Sequence, residues 1–181
     1  MMDEGMRKWL MVSLALYLFF ILESSFFPLI LPPDWRSETL VYPRLVLVGV
    51  IYIGMFTNRH IGLFYGLIFG MLQDIVFYGH MLGANSFTYA LSGYVSGALI
   101  RPWLISMAAA VLIQLAGLLL YELSVFGIYR LFDIMQEDFS WMFIHGMLPG
   151  ILMSLFLALI IYIPARKSLE YKVEQRNAEE E

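Results

Sequence analysis

A chain of 181 residues that is 60% hydrophobic and only 14% charged lies far from the balance of a soluble domain of its size. It has no cysteine, which excludes disulfides and thiolate metal sites, and its net charge of -4 gives no basic footprint for nucleic acid. Its apolar residues come in runs of about 16 to 25, the length a helix rising ~1.5 Å per residue needs to cross a ~30 Å hydrocarbon core. The runs lack the two-residue alternation of membrane barrel strands. The expectation is an all-α integral membrane protein: a compact bundle of six transmembrane helices within residues 1–165, followed by a charged cytoplasmic tail over 166–181.

In chain order, the first span is predicted over residues 9–31, after Arg7 and Lys8. The run is too long, and lacks the small-residue cleavage site, for a removable signal peptide. Pro28, Pro32 and Pro33 mark its end, and Asp34 and Trp35 open the following loop. The second span covers 40–57 and the third 61–78, where Gly62, Gly66 and Gly70 recur every four residues and Asp74 continues the stripe. The fourth, 84–100, repeats that spacing at Gly93 and Gly97. Segments three and four are short and their connection from Tyr78 to Gly83 carries little charge, so a re-entrant pair is the alternative.

The fifth span covers 103–129 and the sixth 140–163, with Gly146 and Gly150 again four apart. Pro149 cannot donate to the carbonyl of His145, which predicts a kink there. The glycine faces are read as tight packing within the bundle; a homodimer would use the same kind of face.

Orientation follows from the basic residues, since positive loops stay in the cytoplasm. Arg7, Lys8, Arg59, Arg101, Arg166, Lys167, Lys172 and Arg176 fall on one side, against Arg36, Arg44 and Arg130 on the other. Eight against three puts both termini of a multi-pass membrane protein in the cytoplasm, and an even number of spans agrees. The outer loops then hold Asp34, Glu38, Asp133, Glu137 and Asp138, with Trp35, Tyr42 and Trp141 at interface depth.

Five ionisable residues lie inside the spans: Glu23, Arg44, Asp74, Glu122 and His145. Each costs roughly 2.5 to 3.5 kcal/mol at a helix centre and is expected to face the bundle interior. Glu23, Asp74 and Glu122 lie ~21 to 28 Å from the cytoplasmic helix ends, and Arg44 and His145 within ~8 Å of the outer ends. A shared depth predicts one intramembrane polar network, first as a packing device and second as a partner surface or a small-molecule or proton path. No zinc, nucleophile-elbow or phosphate-loop motif is present. An enzyme, a metal site and a cofactor are therefore not expected.

The order of these features resembles a family. Glu23-Ser24-Ser25 in the first span, Tyr42-Pro43-Arg44 opening the second, and the run from Tyr65 through Gly66, Gly70 and Asp74 to Ile75, followed by Leu82-Gly83, are similar to the rod shape-determining protein MreD. Tyr121-Glu122, Val125-Phe126-Gly127 and Leu148-Pro149 resemble the versions found in Gram-positive rods, and the likeness runs from about residue 8 to 165. The resemblance implies a non-enzymatic part of the cell-elongation machinery, with MreC as the main partner and MreB, RodA and the penicillin-binding synthases of peptidoglycan reached indirectly. It also implies a six-helix architecture like the substrate-binding subunits of vitamin ECF transporters. That relation leaves a rival reading, the small-molecule-binding subunit of an importer, with residues 79–85 as a lid and Tyr78, Tyr89 and Tyr121 as pocket walls.

Overall fold

The computed structural model describes residues 4–26, 43–77, 81–100, 106–134 and 138–169. Expectations for Pro28 to Tyr42, for Tyr78 to His80, for Arg101 to Ile105, for Glu137 and for the tail beyond 169 lie outside the described residues.

Six helices account for nearly all of this, with no strand among the described residues. Helix α1 spans Glu4–Ile21 and runs on through a π turn, Leu22–Phe26. Helices α2, α3, α4 and α5 follow at Leu45–Phe56, Arg59–Val76, Ala84–Leu99 and Met107–Leu131. The last helix, α6, opens with one α turn at Phe139–Met142, widens to a π turn at Phe143–Met147 and continues as Leu148–Leu169. Each helix falls within or across one of the six expected segments.

Local chemistry sets several ends. Asn58 caps α3 by accepting from the His60 amide at 3.2 Å, and Ser106 caps α5 by accepting from Ala109 at 3.2 Å. Asp133, at a φ of 58°, closes α5 in a left-handed turn. The Ile134 amide donates to the Tyr129 carbonyl at 2.9 Å and that of Asp133 to Arg130 at 3.2 Å, the paired bonds of a Schellman ending. Gly83, at a φ of 98°, supplies the left-handed residue that turns the chain into α4.

The core is built around α2, all twelve residues of which are buried and which touches each of the other five helices. The distribution of side chains is inside-out for a water-soluble fold. Glu23, Gln73, Asp74, Ser86, Thr88, Ser92, Ser96, Gln114 and Ser154 are buried, while Leu14, Phe64, Ile68, Leu112, Leu152, Phe156 and Ile163 stand exposed. Exposed apolar surface on this scale marks contact with lipid or protein rather than with water. Among the described residues two helices are long and apolar enough to cross a membrane, Met107–Leu131 with 25 residues and Phe139–Arg166 with 28. At ~1.5 Å per residue both exceed the ~30 Å core.

The tightest joint is the antiparallel pair of α3 and α4. A Cβ on Gly62 would lie 2.6 Å from Gly54 Cα and 2.8 Å from the Gly93 carbonyl oxygen. One on Gly66 would lie 2.6 Å from Ala90 Cα, and one on Gly70 2.6 Å from Ser86 Cα. Backbone thus meets backbone along three turns. Gly93 and Gly97 complete the seam, where a Cβ would meet the Gly62 and Gly54 carbonyl oxygens at 2.6 Å.

Candidate functional site

Most of the ionisable residues expected inside the spans gather where α1 and α3 end and α2 and α4 begin. Glu23 sits on the π turn that continues α1. Its Oε2 accepts from the Val46 amide at 3.0 Å and its Oε1 from Gln73 Nε2 at 2.7 Å. Gln73 Nε2 also reaches the Tyr89 hydroxyl at 3.3 Å. The carboxylate thus satisfies an orphan amide of the first turn of α2 while tying α1 to α3.

Arg44 precedes α2 and joins it to the far side of the bundle. Its Nε donates to Glu122 Oε1 on α5 at 3.4 Å, and its guanidinium lies 4.6 Å from the centre of the Tyr121 ring. Its backbone amide donates to Ser154 Oγ on α6 at 3.0 Å, and that hydroxyl donates to the Gly150 carbonyl at 2.8 Å. The Arg44 and Glu122 side chains are 27% and 14% exposed, so the pair is shielded from full screening.

Asp74 enters the network through backbone amides. Its Oδ2 accepts from the amides of Gly83 at 2.9 Å and Ser86 at 3.1 Å, and its Oδ1 from the Asn85 amide at 3.2 Å and Asn85 Nδ2 at 2.9 Å. A carboxylate over the first turn of α4 answers the orphan amides and the positive end of the helix dipole. Asn85 passes the connection on, because its Oδ1 accepts from the Tyr121 hydroxyl at 2.7 Å, and Tyr121 packs edge-on against Tyr89 at 5.2 Å. Glu23, Arg44, Asp74 and Glu122 are therefore linked through Gln73, Asn85, Tyr89 and Tyr121.

His145 is the exception. Its ring stacks on Trp141 at 5.1 Å and its Nδ1 lies 3.1 Å from the Trp141 carbonyl oxygen, within its own helix. No contact to the other four is among the described ones. Helical rise says nothing of a residue's bearing around the axis, and on the π turn at Phe143–Met147 His145 faces Trp141. Pro149 stands two residues past the end of that π turn, in the first turn of the α segment that follows, where its missing N–H leaves no intrahelical bond to lose.

The glycines divide likewise. Gly62, Gly66, Gly70, Gly93 and Gly97 lie in the seam between α3 and α4. A Cβ on Gly146 would meet only Met142 Sδ at 3.3 Å, and Gly150 is buried. Sequence reasoning passed over Gly54, whose neighbour is the Gly93 carbonyl, and Gly117, which faces Ile51 and the Ser96 hydroxyl. Asn85 and Ser154 were passed over too, because neither is charged. A polar residue in an apolar run was the available signal. Among the described residues no three His, Asp or Glu side chains gather as a metal site.

The family model for the rod shape-determining protein MreD matches residues 6–172. The chain belongs to the MreD family. Among its relatives is the rod shape-determining protein MreD of Bacillus subtilis (strain 168), 29% identical over 159 residues, which covers 88% of this chain and 92% of the relative. No solved structure matches. The match contains the whole polar layer and the whole glycine seam. As a member of this family the chain is a membrane protein that determines rod shape, in keeping with its apolar exterior and its two long apolar helices.

Proposed function

We propose that the chain is a six-span, non-enzymatic scaffold of the rod-elongation complex, which binds MreC and through it helps to position peptidoglycan synthesis by RodA and the penicillin-binding synthases, with MreB on the cytoplasmic side. Both termini lie in the cytoplasm and the polar layer in the outer part of the membrane. The observation that carries this reading is the closure of the polar layer. Glu23, Arg44, Asp74 and Glu122 bond to each other's helices and to backbone amides, which supports a role in fixing the bundle. Polar groups already paired in this way are poorly suited to a solute, which favours the scaffold over an importer subunit with an ECF-type pocket.

Co-purification with tagged MreC from cells, together with depletion, tests the proposal. Round cells on depletion and recovery of MreC in the complex are expected. Rod-shaped depleted cells, or no recovery of MreC, would overturn it.

A further inference from the structure

Between α1 and α3 runs an open groove of about 600 Å3, walled by Leu10, Leu14 and Tyr17 on one side and Phe64, Ile68 and Phe69 on the other. Its two remaining lining residues, Ser13 and Tyr65, are bonded to each other. The Ser13 hydroxyl donates to the Trp9 carbonyl at 2.9 Å and so accepts from the Tyr65 hydroxyl, also at 2.9 Å. Apart from the Tyr17 hydroxyl at one end, the groove's polar groups are bonded to each other and the rest of its wall is hydrocarbon, which suits an apolar occupant.

Length and charge narrow the choice. The wall from Leu10 to Tyr17 rises only ~11 Å at ~1.5 Å per residue, close to the ~15 Å depth of one leaflet and far short of the ~30 Å a partner's transmembrane helix would follow. Beyond Tyr17 the groove is shut by aromatic packing, with Tyr17 stacked on Phe20 at 6.5 Å and Phe20 edge-on to Phe77 at 6.2 Å. Trp9 packs on Tyr65 at the opposite end, at 6.1 Å, so α1 and α3 run in the same direction and their basic beginnings share one side. Arg59 there lies over the Tyr94 ring at 5.6 Å, whereas Arg7 is exposed with no partner among the described residues.

We propose that the groove between α1 and α3 seats one acyl chain of an anionic phospholipid, with its phosphate against Arg7. The inference rests on the proposed crossing of the membrane by α1 and α3. An apolar trough of about one leaflet's depth, bounded at each end by an aromatic pair, open along its side and with Arg7 one helical turn before Leu10, matches that molecule in length, polarity and charge.

Native mass spectrometry of the purified full chain, offered equal amounts of phosphatidylglycerol and phosphatidylcholine with the same chains, tests it. Retention of phosphatidylglycerol in preference to phosphatidylcholine is expected. Leu14→Trp and Ile68→Trp, at positions 63% and 59% exposed, fill the groove from opposite walls and should each abolish retention at an unchanged melting temperature. Arg7→Gln should keep the lipid and bring the two headgroups to parity. Undiminished retention in both tryptophan variants, or a preference that survives Arg7→Gln, overturns the proposal. So does Leu14→Cys crosslinking to a second copy or to a co-purifying membrane protein. The chain has no cysteine, so Met6→Cys and Ser25→Cys, labelled from either side by an impermeant reagent, report the crossing of α1 separately from the lipid result.

Discussion

Replacing Gly66 by alanine adds one methyl group where the structure has no room for it. The new Cβ would stand 2.6 Å from Ala90 Cα, from the Ala90 nitrogen and from the Tyr89 carbonyl carbon. Carbon atoms rest at about 3.5 to 4.0 Å, so α3 and α4 would have to separate by roughly 1 Å. All three obstacles are backbone, and no rotamer change relieves them. Overpacking costs about 1 to 3 kcal/mol, and a rigid obstacle puts this site at the upper end. Gly127 is the control, since a Cβ there meets nothing within 4 Å. Both glycines lie inside helices, so the gain of ~0.5 to 1 kcal/mol that alanine brings through its stiffer unfolded chain is common to both and cancels. The expected gap between Gly66→Ala and Gly127→Ala is therefore about 3 kcal/mol, roughly a hundredfold in the folding equilibrium. Reversible unfolding in mixed micelles with rising dodecyl sulfate, followed by tryptophan fluorescence, measures it. Equal stability of the two variants would refute the close approach of α3 and α4.

Other substitutions probe the polar layer. Arg44→Met leaves Glu122 shielded and unpaired and should cost roughly 3 to 5 kcal/mol, most of it recovered when Glu122→Leu is added; an additive double variant in the same unfolding assay would show that the pair does not interact. Asp74→Ala strips three amides at the start of α4 of their acceptor and should destabilise by about 1 to 2 kcal/mol, with Asp74→Asn in between, as read by melting temperature in detergent. Gln114→Leu should raise stability by about 1 to 3 kcal/mol, because both polar atoms of that side chain are buried without a partner among the described residues.

The helices were legible in the sequence because apolar runs of membrane length leave few alternatives, and the stripe of Gly62, Gly66 and Gly70 announced a close approach. The partner of that stripe was not legible. Gly54 stands five residues from Gly49 and belongs to no four-residue repeat, yet it lies against both Gly62 and Gly93. For the polar residues, counting along the axis gave depth, and depth brought Glu23, Arg44, Asp74 and Glu122 to one end. Bearing around the axis was lost, and that is why His145 was grouped with them although it turns to Trp141. The role of Asp74 was hidden for another reason. Its partners are backbone amides, which every sequence has and none displays.

The placement of these features bears on function through α2. Lipid tails are as apolar as leucine, so burial alone does not hold helices together in a membrane; packing and hydrogen bonds must. Helix α2 is held by hydrogen bonds at its start, where Arg44 and Val46 meet Glu122, Ser154 and Glu23. Near its end it is held by the approach of Gly54 to α3 and α4, and the Tyr52 hydroxyl donates to the Ala158 carbonyl of α6 at 2.8 Å. A central helix fixed at both ends by different forces cannot slide or tilt without breaking one set. Such a bundle keeps its outer faces in constant relation, the property needed of a body that holds other membrane proteins in register. Loosening one end alone, through Arg44→Met or Gly54→Ala, should therefore disturb shape determination before it removes the protein from the membrane, which cell shape and membrane abundance measured in the same cells would separate.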